Sequence, residues 1–141
     1  MTKRMKRLNM ESFTEILKFN DQGLIPAIIQ DFKSKQVLTL CYLNRVALEK
    51  SLKEGKVYLF RRSQNRLMLK GETSGHIQRI KAIHVDCEGK SLLLLVQQRV
   101  AACHAGYVTC YFRRRAKNGS LRTVGKRVFD PNRVYRASGA E

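Results

Sequence analysis

The 141-residue sequence predicts a mainly β protein of the α+β class, a compact single domain of several small sheets with one or two helices. Three observations lead there. Short runs rich in β-branched and aromatic residues recur along the chain, separated by polar or glycine-containing links. One segment has clear helical spacing with a cap at each end. Strands and helices do not alternate regularly, which removes a βαβ series.

The elements follow in order. Residues 1–23 read as a basic arm leading into a short amphipathic helix over Glu11–Lys18, with Ser12 as its cap, Phe13, Ile16 and Leu17 apolar, and Gly23 as the break. Residues 24–112 form the core. Within it Leu24–Phe32 and Gln36–Leu43 are strands joined through a DFKSK turn. Asn44 caps a helix, RVALEKSLKE, whose apolar Val46, Ala47, Leu48 and Leu52 precede a closing Gly55. Strands Lys56–Arg61 and Arg66–Leu69 flank a polar SQN link, and Lys70–Gly75 is a loop. Ile77–Asp86 alternates, Ser91–Gln97 reads as a buried strand, and Gly106–Phe112 as the last one. Residues 113–141 make a basic, turn-rich extension that packs on the same domain through Val124, Val128, Phe129 and Tyr135.

The formal net charge of +17 comes from 28 Lys and Arg against 11 Asp and Glu. Much of it sits at the ends: residues 1–10 carry four bases and no acid, and residues 113–141 carry nine bases and two acids. Basic ends can attract polyanions, yet the chain lacks Trp and any run of stacking aromatics, which argues against a nucleic-acid partner. The longest run of large apolar residues, Leu92–Val96, falls far short of the roughly 20 residues that span a bilayer. The basic N-terminus, MTKRMKRLNM, leads into no apolar region. The expectation is a soluble, cytoplasmic protein without a membrane partner.

Three features carry chemistry. The four cysteines form no CxxC pair, but Cys87, Cys103 and Cys110 follow one another as C-x15-C and C-x6-C. Three converging thiolates suit zinc and leave a fourth position for water; by spacing alone, buried thiols are the alternative. In a strand Asp86 and Glu88 would share one face with Cys87 on the other, an oxygen pair suited to magnesium. The alternative is two solvated acids beside a turn at Gly89. Finally, FRRSQNRLMLKGETSG offers Arg61, Arg62, Arg66 and Lys70 with hydroxyls from Ser63, Thr73 and Ser74, a set able to hold phosphate. It contains no Walker loop, and a solvated basic hairpin is the competing description.

In this order the pieces resemble the phosphoribosyl-AMP cyclohydrolase family, from about Leu24 to Tyr135. The likeness rests on LIPAIIQD, YLNRVALEKSLKEGKVYLF, RLMLKGETSGHIQRI, VDCEGKSLLLLVQQ, ACHAGYVTCYFRR and VFDPNRVY. The resemblance implies an intertwined homodimer that opens the adenine ring of phosphoribosyl-AMP in histidine biosynthesis. It implies zinc on Cys87, Cys103 and Cys110, with Cys87 donated across the dimer. It also implies magnesium on Asp86 and Glu88, completed by water or substrate phosphate, because Lys90 stands where the family has a third acid. His104 becomes the candidate for proton transfer, His76 and His84 remain surface or strand residues, and Arg62, Ser63, Lys70, Thr73 and Ser74 would grip the substrate's two phosphates.

Arg61, Gln64, Met68, Ala105 and Thr109 depart from the family's usual residues. The 31 residues after Cys110 leave no room for a fused pyrophosphohydrolase, so a monofunctional enzyme is expected. The competing functions are a zinc-containing nucleic-acid-binding protein and a paralogue of the same fold without catalysis.

Overall fold

The computed structural model describes residues 13–101, 103 and 105–137. The predicted Ser12 cap and the basic arm before it lie outside the described residues, as does His104. Helical backbone is present at residues 13–16, after which Leu17 and Leu24 lead into the first strand as buried side chains. Strands β1 (Ile25–Asp31) and β2 (Val37–Leu43) form an antiparallel pair. Asp31 builds the turn between them, its carboxylate accepting the backbone N–H groups of Lys33 and Ser34. Those bonds hold the Asp31 pKa below its usual value.

Helix α1 (Arg45–Glu54) has the predicted caps. Asn44 accepts the Ala47 N–H at 2.8 Å, and Gly55 closes the helix in the left-handed conformation at φ 70°. The helix buries Ala47, Leu48 and Ser51. Ser51 Oγ donates to the Ala47 carbonyl and accepts the Tyr58 N–H, so a buried hydroxyl fastens α1 to the next strand. That strand, β3 (Tyr58–Arg61), pairs with β4 (Arg66–Leu69) in a separate two-stranded sheet.

Strands β5 (Gln78–Val85) and β6 (Leu92–Gln98) complete the main sheet, whose order is β2-β1-β6-β5. The central pair, β1 with β6, is parallel and the outer pairs are antiparallel. Period-2 alternation sends Ile25, Ala27, Ile29, Leu92, Leu94 and Val96 to one face, all at most 1% exposed. This is the core face, which also receives Ala47 and Leu48 of α1. On the opposite face Ile28, Val37 and Leu40 are each more than 40% exposed.

The sequence reading fails after β6. Gly106–Phe112 is not a strand: Tyr107 makes only an isolated bridge to Arg127. The Tyr107 and Phe112 rings stack at 3.9 Å, which an extended chain five residues long cannot allow. The extension described as turn-rich holds regular structure instead, a hairpin of β7 (Arg113–Arg115) with β8 (Leu121–Thr123) and a helix α2 (Pro131–Ala137). Both were signalled locally, the hairpin by Asn118-Gly119 and the helix by Asp130-Pro131, with Asp130 accepting the Asn132 N–H. No helix among the described residues is long and apolar enough to cross a membrane.

Val100, just past β6, has φ 73°. A β-branched side chain there meets its own backbone, at a cost of roughly 1–2 kcal/mol. Val100→Gly is therefore expected to stabilise the protein by about 1 kcal/mol, after allowing for the greater freedom glycine gives the unfolded chain. A urea midpoint measurement reads it directly.

Candidate metal and substrate site

Leaving β6, the chain turns at Val100 and reaches Cys103, where it doubles back. The Cys103 carbonyl accepts the Gly106 N–H, its N–H donates to the Tyr107 carbonyl, and its sulfur accepts the Ala105 N–H at 3.3 Å. Gly106 sits at φ +99°, and a Cβ there would meet the Phe129 carbonyl oxygen at 2.6 Å. Val128 N–H donates to the Gly106 carbonyl and Arg127 Nε to the Ala105 carbonyl, so the C-terminal segment clasps this turn. Further on, Cys110 N–H donates to the Leu38 carbonyl of β2, and the Thr109 hydroxyl to the Val37 carbonyl. These bonds replace the strand pairing that the apolar run suggested.

The doubled-back loop places Cys110 beside Cys103, close enough for their thiols to hydrogen-bond. Burial pushes the Cys110 thiol up, a bond from Thr39 opposes that, and the neighbouring Cys103 raises it again. Cys41 lies near Cys110 in the core, its thiol pushed up to about 12 by desolvation. The Lys70 charge acts on both Cys41 and Cys110. A second polar chain holds the loop from the sheet. Gln98 Nε2 donates to the Val108 carbonyl, and Gln78 Nε2 donates to Gln98 Oε1. Because a carbonyl can only accept, this order leaves Gln78 with a buried oxygen at its free end, and that oxygen has no partner among the described residues.

Cys87 is elsewhere. Strand β5 ends at Val85, and residues 86–89 form a turn rather than extended chain, so Asp86 and Glu88 do not share a strand face. The cause is Asp86 itself. Its Oδ1 accepts the N–H groups of Glu88 and Lys90, and its Oδ2 accepts the Ser91 hydroxyl. Those bonds hold its pKa below the usual carboxylate value, the Ser91 hydroxyl contributing most. Glu88 pairs with Lys90 at 2.9 Å, and Cys87 is exposed. Cys110 lies against edge strand β2, whereas Cys87 lies at the far end of the β5–β6 pair. Three strand spacings separate those edges, roughly 14 Å before the offset along the strands is added. Among the described residues no three His, Cys, Asp or Glu gather as a metal ion requires.

The predicted phosphate set is also divided. Arg62 and Ser63 lie in the β3–β4 turn, with the Arg62 guanidinium 4.0 Å above the Tyr42 ring. Lys70, Thr73 and Ser74 lie at the other end of that hairpin, roughly 10 Å of strand away. Of these residues Lys70 is the one whose charge acts on the thiols. The loop there closes tightly, Gly75 N–H donating to the Gly71 carbonyl and His76 N–H to Ser74 Oγ. His84 is exposed on β5, but His76 is neither on a strand nor on the open surface. Its ring meets Phe129 edge-on at 4.7 Å, and burial, then Lys70 and Arg99, lower its pKa. Sequence reasoning passed over it because its surroundings come from Phe129, more than fifty positions away.

Residues 39–112 match the family model for phosphoribosyl-AMP cyclohydrolase. The chain belongs to the phosphoribosyl-AMP cyclohydrolase family. It is 46% identical over 119 residues to the phosphoribosyl-AMP cyclohydrolase of Pelotomaculum thermopropionicum, covering 84% of this chain and 92% of that one. The corresponding protein of Methanosarcina acetivorans is 47% identical over 121 residues, 86% of this chain and 97% of the relative. The histidine biosynthesis bifunctional protein of Thermoanaerobacter pseudethanolicus is 48% identical over 132 residues, but the match spans 94% of this chain and only 61% of the relative. Within the cyclohydrolase family fold seen here, the thiol pair, Lys70 and His76 are what one chain assembles.

A pH dependence follows from His76. Its folded pKa is depressed below the ordinary 6.5, so the stability its neutral form contributes is complete above pH 6.5 and is lost as pH falls through the folded value. The urea midpoint should drop between pH 7.5 and 5.5, and His76→Phe, which keeps a ring against Phe129, should flatten that drop.

Proposed function

We propose that the chain is a zinc-dependent phosphoribosyl-AMP cyclohydrolase acting as a homodimer, with each metal site built from both subunits. Water adds to C6 of the N1-ribosylated adenine ring, the N1–C6 bond breaks, and N1 takes up the proton, giving the imidazole carboxamide product. The observation that carries the reading is the placement of the cysteines: Cys103 and Cys110 are neighbours while Cys87 stands across the sheet. Two soft sulfur donors suit zinc but leave the set one ligand short, and Cys87 from a second copy supplies it. The open sheet face, with Ile28, Val37 and Leu40 exposed, offers an apolar surface for that copy.

Zinc in this position would lower the pKa of a bound water to about 7. The protein's own groups do the rest. The Lys70 charge beside Cys110 favours the thiolate and lies at the mouth of the KGETSG loop, where Thr73 and Ser74 offer hydroxyls to a phosphate. Arg62 and Ser63, at the far hairpin turn, would serve a second phosphate only from outside this cluster. His104, next to ligand Cys103, is assigned proton transfer, since an imidazole titrates near pH 6.5. Magnesium on Asp86 and Glu88 requires the Glu88–Lys90 pair to open, and the Asp86 oxygens are largely engaged in their own turn.

Subunit mixing tests the shared site. Cys87→Ser and Cys110→Ser should each abolish ring opening of phosphoribosyl-AMP and lose zinc. Equal amounts unfolded and refolded together should regain about a quarter of wild-type activity, because half the dimers are mixed and each holds one intact site. No recovery, or a zinc-replete monomer, overturns the shared site; no ring opening by the wild type in any metal state overturns the enzyme. His104→Ala should retain zinc and lose turnover by roughly 100-fold or more.

A further inference from the structure

On the face of the sheet opposite α1, where β5 begins and β6 ends, Arg79 stands across from Gln97, and the next pair along is Ile77 with Arg99, joined by the Arg99 N–H to Ile77 carbonyl bond. Arg79 and Arg99 are therefore diagonal neighbours on one face, with backbones roughly 7–8 Å apart. Between them is a cavity of about 370 Å³ lined by Ile77, Arg79, Gln97, Gln98 and Arg99. Its lining includes two guanidinium groups and no carboxylate. Neither guanidinium has an ion-pair or hydrogen-bond partner among the described residues. An adjoining cavity of about 380 Å³ shares Gln97 and Gln98 and adds Lys33 and Lys81. The one acid there, Asp31, is occupied with the N–H groups of its own turn.

Two like charges held this close, with no carboxylate in the cavity lining, cost stability, and a dianion relieves that cost by taking a fork-shaped contact from each. The position ties the cavity to the thiol site. Arg99 is four residues before Cys103, the chain between them bends sharply at Val100, and the Arg99 charge reaches His76. The exposed apolar residues of the same sheet face lie on β1 and β2, so a second copy seated there leaves the Arg79–Arg99 end at its rim.

We propose that this cavity is a phosphomonoester subsite, in which Arg79 and Arg99 bind one terminal phosphate of the substrate while the KGETSG loop holds the other. The assignment to substrate rests on the cyclohydrolase reading above; the cavity's affinity for phosphate does not. It also accounts for what the predicted set could not, since Arg62 and Ser63 lie too far from Lys70 to serve the same end of a ligand.

The test uses the zinc-loaded full chain with Arg79→Gln, Arg99→Gln, the double variant, and Arg79→Lys with Arg99→Lys as the conservative control. Each glutamine variant should raise KM for phosphoribosyl-AMP roughly tenfold, with kcat within about threefold, and the lysine pair should fall between wild type and the double variant. Titration with inorganic phosphate, followed by amide shifts, should saturate near Arg79 and Arg99 in the wild type and not in the double variant. A KM unchanged in the double variant, or phosphate binding equal in both, overturns the proposal. A kcat loss at constant KM overturns it as well, because it would place these residues in the chemistry or the fold. If the wild type opens no ring yet loses phosphate binding in the double variant, the cyclohydrolase reading fails and the phosphate site stands.

Discussion

Strand β6 is a stiff seven-residue rod with a cysteine-bearing segment at each end. It is held between the parallel β1 and the antiparallel β5, and its core-facing Leu92, Leu94 and Val96 are essentially inaccessible to water. Nothing in one chain can therefore bring the segment before it, carrying Cys87, to the segment after it, carrying Cys103 and Cys110. Breaking the β1–β6 pairing to do so would expose the centre of the core. The division of the thiols is a consequence of how the sheet is stabilised, and the proposed second subunit answers that division.

The segment after β6 depends on the same sheet in a different way. It forms no strand, and its anchors are single bonds: Cys110 and Thr109 to the edge of β2, Gln98 to Val108, and the C-terminal segment to Ala105 and Gly106. The Gln98 and Thr109 bonds each satisfy polar groups that are partly buried. Lys70 then acts on both the Cys110 thiol and the His76 ring, and Arg99 acts on His76 from the end of β6.

Much of the core was legible in the sequence because it is local. The Asn44 and Gly55 caps, the DFKSK turn and the β-branched runs each act within a few residues, and the structure places helix and strands within about two positions of the expected ends. The likeness carried by KGETSG, DC and ACHAG likewise led to the right family. Of what failed, one part was local and the rest long-range. Period-2 reasoning took Asp86 and Glu88 as one strand face, but the Asp86 carboxylate had local N–H groups to accept and closed a turn. GYVTCYF has the composition of a strand, yet the available edge of β2 takes only two of its residues, and ring stacking curls the rest. The Arg79–Arg99 pairing and the burial of His76 required the register of β5 on β6 and the return of Phe129, which no local pattern encodes.

The contact between Gly106 and the Phe129 carbonyl has a temporal meaning. Synthesis delivers the chain N-terminus first, and the main sheet is complete once Gln98 has emerged. The thiol turn, by contrast, lacks its clasp until residues 127–129 follow. The nascent protein thus passes through a stage in which the scaffold is finished and the cysteine pair is still loosely held. The closing of the C-terminal segment is then the step that fixes the thiol turn in its final shape.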